Sequence, residues 1–417
     1  MGWRGRRGGA AGGGEVGVGD SVGPRVMGAL WAAGFTTAFG AHAVAASLGG
    51  ASGDAVKSLL TLGALLALYD GAEVLLKPVF GAVADRVGAR PVLLAGLVGF
   101  ACASAVYVIA DRPAWLWVAR LGQGAAASAF SPAASALVAR LNPAARHGRA
   151  FGSYGLYKSL GYTLGPLLGG ALVWLGGFRL LFLVMTILAL VVACWAWLAV
   201  PIVPPLPRKR QTVVDLARRI TDPVFLRPTA ALAGATAALS VGVGFLPVTG
   251  AAAGLGTVAT GAAVSVLAAT SAFVQPRAGR AVDAGRISTR QGIALGLLFA
   301  AAGLGFATAP GLAGVLLAAV CIGVGVGLIT PLGFAALAAS TEPARLGQTM
   351  GTAELGRELG DAGGPLLVAG IATATTLSLG YTGLAVLLAI GPLVAFGTGA
   401  VRRVQRGGRE RETTMEG

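Results

Sequence analysis

Charge is what this sequence has least of. Only 12% of its 417 residues are Asp, Glu, Lys or Arg, about half the share of a soluble globular domain, so an ordinary solvated surface cannot be built from it. Histidine is limited to two residues and cysteine to three, Cys102, Cys194 and Cys321. Their spacing fits neither a metal site nor a disulfide framework, and the cysteines, all within apolar runs, read as small buried hydrophobes. Hydrophilic stretches are scarce too. The only sizeable internal one is PIVPPLPRKRQTVVDLARRITDPVFLRP, residues 201–228. The N-terminal MGWRGRRGGAAGGGEVGVGDSVG lacks the apolar centre and cleavage site of a signal peptide and reads as a disordered tail.

What is present instead is apolar: 55% of residues are hydrophobic and the mean hydropathy is +0.76. Twelve apolar runs, at 25–48, 57–80, 91–110, 114–139, 150–174, 180–200, 228–249, 257–276, 291–309, 312–337, 349–373 and 380–401, are numbered here as spans one to twelve. Most reach the ~20 residues that cross a ~30 Å hydrocarbon core. An all-α integral membrane protein follows. It divides into a tail (1–24), a six-helix bundle (25–200), a linker (201–227), a second six-helix bundle (228–401) and a C-terminal tail (402–417).

A net charge of +15 in a soluble protein would suggest a nucleic-acid surface, so the placement of the basic residues decides. With both termini cytoplasmic, 25 of the 32 Lys and Arg fall in cytoplasmic segments, three (Lys57, Arg112, Arg179) in outer loops and four within spans. That asymmetry is the positive-inside pattern of a multi-pass protein of the cell (inner) membrane. It removes the reason to expect nucleic acid, leaving lipid as the surrounding partner.

The two halves repeat one another. KPVFGAVADRVGAR (77–90) recurs as QPRAGRAVDAGR (275–286), setting Pro78, Gly81 and Asp85 against Pro276, Gly279 and Asp283 at an offset of 198. Ser131-Pro132 matches Thr330-Pro331, Arg146 matches Arg345, Gly148 matches Gly347, Lys158 matches Arg357 and Gly165-Pro166 matches Gly364-Pro365, all at 199. Parallel six-span repeats imply a pseudo-twofold along the membrane normal with a cavity between the halves, which is transporter architecture.

GAVADRVGAR resembles the loop motif between spans two and three of the major facilitator superfamily, and RLGQG (120–124) resembles that family's fourth-span Arg-x-x-Gln-Gly. Ala89 stands where the family usually has a second basic residue, and the second copy has one residue fewer between its Asp and its Gly. A third resemblance lies in span five. Gly152, Gly161, Gly165, Pro166, Gly169 and Gly170 match the spacing of the motif associated with the superfamily's drug:proton antiporters. In that family the motif is thought to seal the interface between the halves. Physically, Gly161, Gly165 and Gly169 form one bare helical stripe that permits close helix approach, and Pro166 bends the helix. Gly364 and Pro365 repeat the feature in span eleven, and packing alone is the plainer explanation of both.

Nine ionisable residues lie within spans: Asp70, Glu73 and Lys77 in span two, Arg120 in span four, Lys158 in span five, and Glu354, Arg357, Glu358 and Asp361 in span eleven. Each costs several kcal/mol in hydrocarbon, so each is a functional candidate. Helical spacing pairs Glu73 with Lys77, and Arg357 with Glu354 or Asp361. Four bases (Lys77, Arg120, Lys158, Arg357) can quench four of the five acids (Asp70, Glu73, Glu354, Glu358, Asp361). A carboxyl left over in low dielectric favours its neutral form, which suits a proton carrier. Asp70 leads as that carrier, followed by Glu358 and Asp361; a fully paired static network is the alternative.

The resemblance implies that spans two and eleven, and five and eight, meet across the halves, with Lys158 within reach of Glu358. It implies a cytoplasmic gate of Gly81, Asp85, Arg86, Gly88 and Arg90, mirrored by Gly279, Asp283 and Arg286, in which the Asp caps a facing helix. Trp31, Phe35, Phe130, Tyr154, Tyr157 and Phe245 fall on spans expected to border the cavity, enough for a greasy pocket. The expected function is proton-coupled efflux of a small amphipathic compound by a monomer, with the proton gradient as energy source and neither cofactor nor metal. Symport, uniport and, remotely, a membrane-embedded transferase are the alternatives.

Overall fold

The computed structural model describes residues 23–48, 55–110, 113–205 and 221–391, and the described elements are all helical. Span one is Pro24–Leu48, two Ala55–Val87, three Ala89–Ala110 and four Pro113–Arg140. Spans five and six run together as His147–Ala199, broken at Gly176 and Gly177, where the backbone leaves helical geometry. Spans seven to eleven are Pro223–Ala252, Thr257–Asp283, Thr289–Phe306, Gly311–Ala339 and Leu346–Ala374. Span twelve is described as Leu377–Gly391. Its predicted remainder, 392–401, lies outside the described residues, as do 1–22, most of the linker (206–220) and the C-terminal tail.

Helices two and eight overrun their predicted ends by seven residues each because Pro78 and Pro276 do not stop them. In a packed membrane bundle neighbouring helices accommodate the backbone that a proline frees. Span seven starts on Asp222, which accepts from Val224 N at 2.9 Å, and span nine on a capping box of Ser288 and Gln291.

Span one lies along span five and span seven along span eleven; spans two and four pair in the first half as eight and ten pair in the second. Small residues govern these approaches. A Cβ on Gly124 would overlap Tyr69 O, and one on the equivalent Gly323 would sit 2.6 Å from Leu267 O. Outward, Leu75, Ile109, Trp174, Leu198 and Leu366 are more than two-thirds exposed, a surface suited to lipid rather than water. Cys102 and Cys194 are exposed on it, and Cys321 is half-buried, so the expectation of buried cysteines is corrected: each has one face turned away from the bundle. Among the described residues, five helices are long and apolar enough by themselves to cross a membrane. Span eleven, with four ionisable residues, is not among them.

Candidate functional site

The two seams between the halves, span two against eleven and five against eight, are closed at the end of the bundle that carries the two–three and eight–nine connections, the gate end. Glycine makes the closure. A Cβ on Gly81 would overlap Gly347 O, and one on Gly279 would overlap Gly148 O. Gly152 lies against Gln275 O and Pro276, and Gly351 against Lys77 O and Pro78. At each closed end one aspartate from one half caps a helix of the other. Asp85 accepts from Gly347 N at 2.7 Å and Gln348 N at 2.8 Å; Asp283 accepts from Gly148 N at 2.9 Å and Arg149 N at 2.7 Å. Carboxylates placed there gain from the exposed N–H groups and the positive end of the helix dipole. Gly88 and Gly285 end the preceding helices at φ 102° and 68°, which only glycine adopts without strain. Arg90 is turned away, donating to Trp197 O at 2.7 Å, and Arg86 is exposed.

Further from the gate, charge is concentrated on one seam. Lys77 is buried and donates to Glu358 Oε1 at 2.6 Å. It also pairs with Glu73 on its own helix and stands 3.9 Å from Glu354. Glu354, fully buried, accepts from Lys158 at 3.1 and 3.2 Å and from Arg357 at 3.3 Å. Three acids and three bases thus form one continuous network that ties span eleven to spans two and five. One pairing expected from sequence is corrected: Lys158 reaches Glu354 rather than Glu358, which lies one helical turn further along and is occupied by Lys77. Of the two partners that spacing allowed Arg357, the structure selects Glu354 over Asp361.

Asp70, Asp361 and Arg120 stand outside the network. Asp70 and Asp361 are exposed and, among the described residues, neither has an ion-pair partner. Asp70 lies on span two and Asp361 on span eleven, helices of opposite halves that pack against each other. Asp361 accepts a hydrogen bond from Ser240 of span seven. Arg120 is fully buried and, among the described residues, has no carboxylate in ion-pair range. Its guanidinium lies 4.1 Å from the Tyr69 ring centroid and donates at 3.3 Å to Gln123, so a cation–π contact and a hydrogen bond together hold it.

The glycine stripe of span five packs inside its own half. A Cβ on Gly161 would meet Phe35 O at 2.6 Å, on Gly165 Ala43 N at 3.2 Å and on Gly169 Ala43 O at 2.6 Å. Gly364 packs likewise on Ala237 of span seven at 2.7 Å. The expectation that the stripe faces the other half is therefore corrected: of that set only Gly152 sits on the seam, and Gly170 touches nothing. Pro166 and Pro365 lie within intact helices.

Among the aromatics, Trp31 stacks on Tyr157 at 4.8 Å, and Phe35 and Phe245 are half-buried. Phe130 is enclosed against Phe100 and Tyr154 is buried beside Gly34, so neither lines a cavity as expected; both fill the interior of the first half. A groove of about 490 Å³ lies between spans two, three and four, bordered by Phe80, Gly99 and Gly122, and none of the nine intramembrane ionisable residues lines it. Sequence reasoning missed Gln275, Ser159, Ser271 and Ser240. The repeat offsets point to three of them, since Gln275, Ser159 and Ser271 occupy positions equivalent to Lys77, Glu358 and Glu73; no such signal marks Ser240.

The sequence model of the Major Facilitator Superfamily matches residues 26–365. A triacylglyceride transporter of Mycolicibacterium smegmatis is 38% identical over 98 residues, 24% of this chain and 18% of that protein. The multidrug resistance protein MdtH of Shigella dysenteriae is 38% identical over 119 residues, 28% of this chain and 29% of MdtH. The matched stretches thus span less than a third of these relatives' length. Among solved structures, the human organic anion transporter MFSD10 superposes with a TM-score of 0.75 at 18% identity, covering 89% of this chain and 99% of that one. FucP in its outward conformation gives 0.72 at 12%, covering 88% and 98%. At such identities the likeness is one of fold.

Proposed function

We propose, from the premise that this chain belongs to the Major Facilitator Superfamily and is a membrane transporter, that it exports a small amphipathic compound in exchange for protons. Its place is the cell (inner) membrane with both termini and the gate end cytoplasmic, as the distribution of basic residues favours. The resemblance to MdtH over part of the chain supports drug-like cargo.

The observation that carries the reading is the separation of Asp70 and Asp361 from the ion-pair network. Exposed acids that have no ion-pair partner among the described residues are able to take up a proton without breaking a salt link. In the state seen here the gate end is closed, so a proton and a substrate compete from the opposite side. Closing that side and opening the gate end would then release whichever is bound. Trp31 and Tyr157 offer a flat apolar surface to the cargo.

The test is uptake into inside-out vesicles with an imposed pH gradient, alongside substrate-induced proton release from purified protein across a panel of drugs and metabolites. Asp70→Asn and Asp361→Asn are expected to abolish gradient-driven accumulation while leaving downhill substrate exchange. Accumulation by the Asp70→Asn/Asp361→Asn double variant at the unmodified rate would remove both acids from the mechanism, and accumulation with the reversed gradient alone would make the protein a symporter.

A further inference from the structure

The two seams are built on one repeated backbone but carry different chemistry. The offsets of 198 for spans two and eight and 199 for spans five and eleven place Lys77 opposite Gln275, Glu73 opposite Ser271, Glu358 opposite Ser159 and Glu354 opposite Gly155. The contacts obey the same correspondence. Lys77 binds Glu358 across one seam at 2.6 Å, and Gln275 donates to Ser159 across the other at 2.7 Å. Lys77 pairs with Glu73 one turn back, and Gln275 donates to Ser271 one turn back at 3.3 Å. Even the space is matched, because a Cβ on Gly155 would overlap the Gln275 amide oxygen. The lost carboxylate of the first half is replaced by a side chain of the second.

We infer that the seams divide the work of the gate: the ionic two–eleven seam sets the pH dependence of gate-end opening, while the neutral five–eight seam holds a constant, pH-independent share of the closing contact. The inference rests on the transporter reading but not on which acid carries the transported proton. Lys77 is held by carboxylates on two sides, Glu73 on its own helix and Glu354 and Glu358 on span eleven. Behind Glu354 stand Lys158 of span five and Arg357 of span eleven. Asp70, Tyr69, Arg120, His42, Tyr162 and Asp361 are further titratable groups around Glu73 and Glu358. Protonation of Glu358 removes the attraction that Lys77 makes across the seam, so acid weakens this seam and favours an open gate end; Glu73, on the same helix as Lys77, holds Lys77 in place from its own side. Both seams carry an aspartate cap at the gate end, Asp85 on one and Asp283 on the other, so the caps do not distinguish them. Level with the Lys77 network the five–eight seam joins an amide and two hydroxyls, none of which titrates in the working range, and among the described residues no ion pair joins spans five and eight.

The repeat itself supplies the variant. Lys77→Gln with Glu358→Ser writes the chemistry of the neutral seam onto the charged one, at positions where the equivalent backbone already accepts it. Gln275→Leu with Ser159→Ala strips the neutral seam. Gate-end opening is read by pulsed electron paramagnetic resonance between spin labels at Val87 and Pro343, and at Ala145 and Ala284, all exposed, from pH 8 to pH 5. The unmodified protein opens as pH falls. The K77Q/E358S variant is expected to lose that dependence at both label pairs, and Q275L/S159A to shift the open fraction several-fold at every pH with its midpoint unchanged. Retention of the pH midpoint by a folded, monodisperse K77Q/E358S variant, or its loss in Q275L/S159A, overturns the inference. Asp70→Asn, run in parallel, separates the two proposals: loss of accumulation with an intact opening curve leaves this one standing, and a flat curve in D70N alone refutes it.

Discussion

Replacing Asp85 by alanine removes two hydrogen bonds that exist only while the gate end is closed. Both run from backbone N–H groups of span eleven, Gly347 N at 2.7 Å and Gln348 N at 2.8 Å, to a carboxylate that is only 7% exposed. A hydrogen bond to a charged group contributes about 1.5–3 kcal/mol. These two share one carboxylate and one helix dipole, so their joint contribution is about 2–4 kcal/mol rather than the full sum. In the open state the carboxylate returns to water and neither gains nor loses from the substitution. D85A therefore shifts the closed-to-open ratio by about 30- to 1,000-fold. Asparagine keeps one acceptor oxygen without the charge, so D85N falls between, at about 1–2 kcal/mol. The spin-label pair at Val87 and Pro343 reads the result as a second, longer distance that grows from D85N to D85A. Asp283, whose bonds of 2.9 and 2.7 Å lie in a half-exposed site, gives a smaller shift, and the two substitutions add because both act on one equilibrium. A D85A distance distribution indistinguishable from that of the unmodified protein would refute the cap as a source of closure.

Other expectations follow from the same geometry. Glu354→Gln leaves Lys158 and Arg357 buried without their shared carboxylate, a loss of about 3–5 kcal/mol, seen as a lower unfolding temperature in detergent; Lys158→Gln added to it recovers part of the loss, and an unshifted single variant would show that the network contributes nothing. Gly169→Ala forces a Cβ to within 2.6 Å of Ala43 O and lowers stability by about 1–3 kcal/mol, whereas Gly170→Ala, with nothing within 4 Å, is neutral or gains up to about 1 kcal/mol of helix propensity. Equal effects would mean that the stripe is not a packing surface. A fluorescent protein fused to the C-terminus glows and an alkaline phosphatase fused there is inactive if that end is cytoplasmic; the opposite pair of results inverts the topology.

The membrane class and the repeat were legible in the sequence because both rest on local chemistry. A scarcity of charge cannot be solvated away, and a duplicated pattern keeps its spacing whatever it packs against. Asp85 and Asp283 were identified on those grounds, and so was the Glu73–Lys77 pair, which a single helix brings together. The partners that one helix cannot supply were another matter. Whether Lys158 meets Glu354 or Glu358 depends on how far span eleven slides along span five, and one turn of difference changes the answer. Counting charges left one acid over; the fold left two acids and one arginine, because Arg120 is enclosed beside Tyr69 where, among the described residues, no carboxylate reaches.

The sequence by itself determined the helices, their doubling and the residues that carry charge into the bundle, since hydrophobic length and repeat spacing are properties of the chain alone. Only the tertiary structure decided that the glycine stripe lies against span one and span seven, that Phe130 and Tyr154 are interior, and that one seam is ionic and its twin neutral. Those outcomes depend on which faces of separate helices meet. That is set by close packing between segments hundreds of residues apart, and no local pattern encodes it.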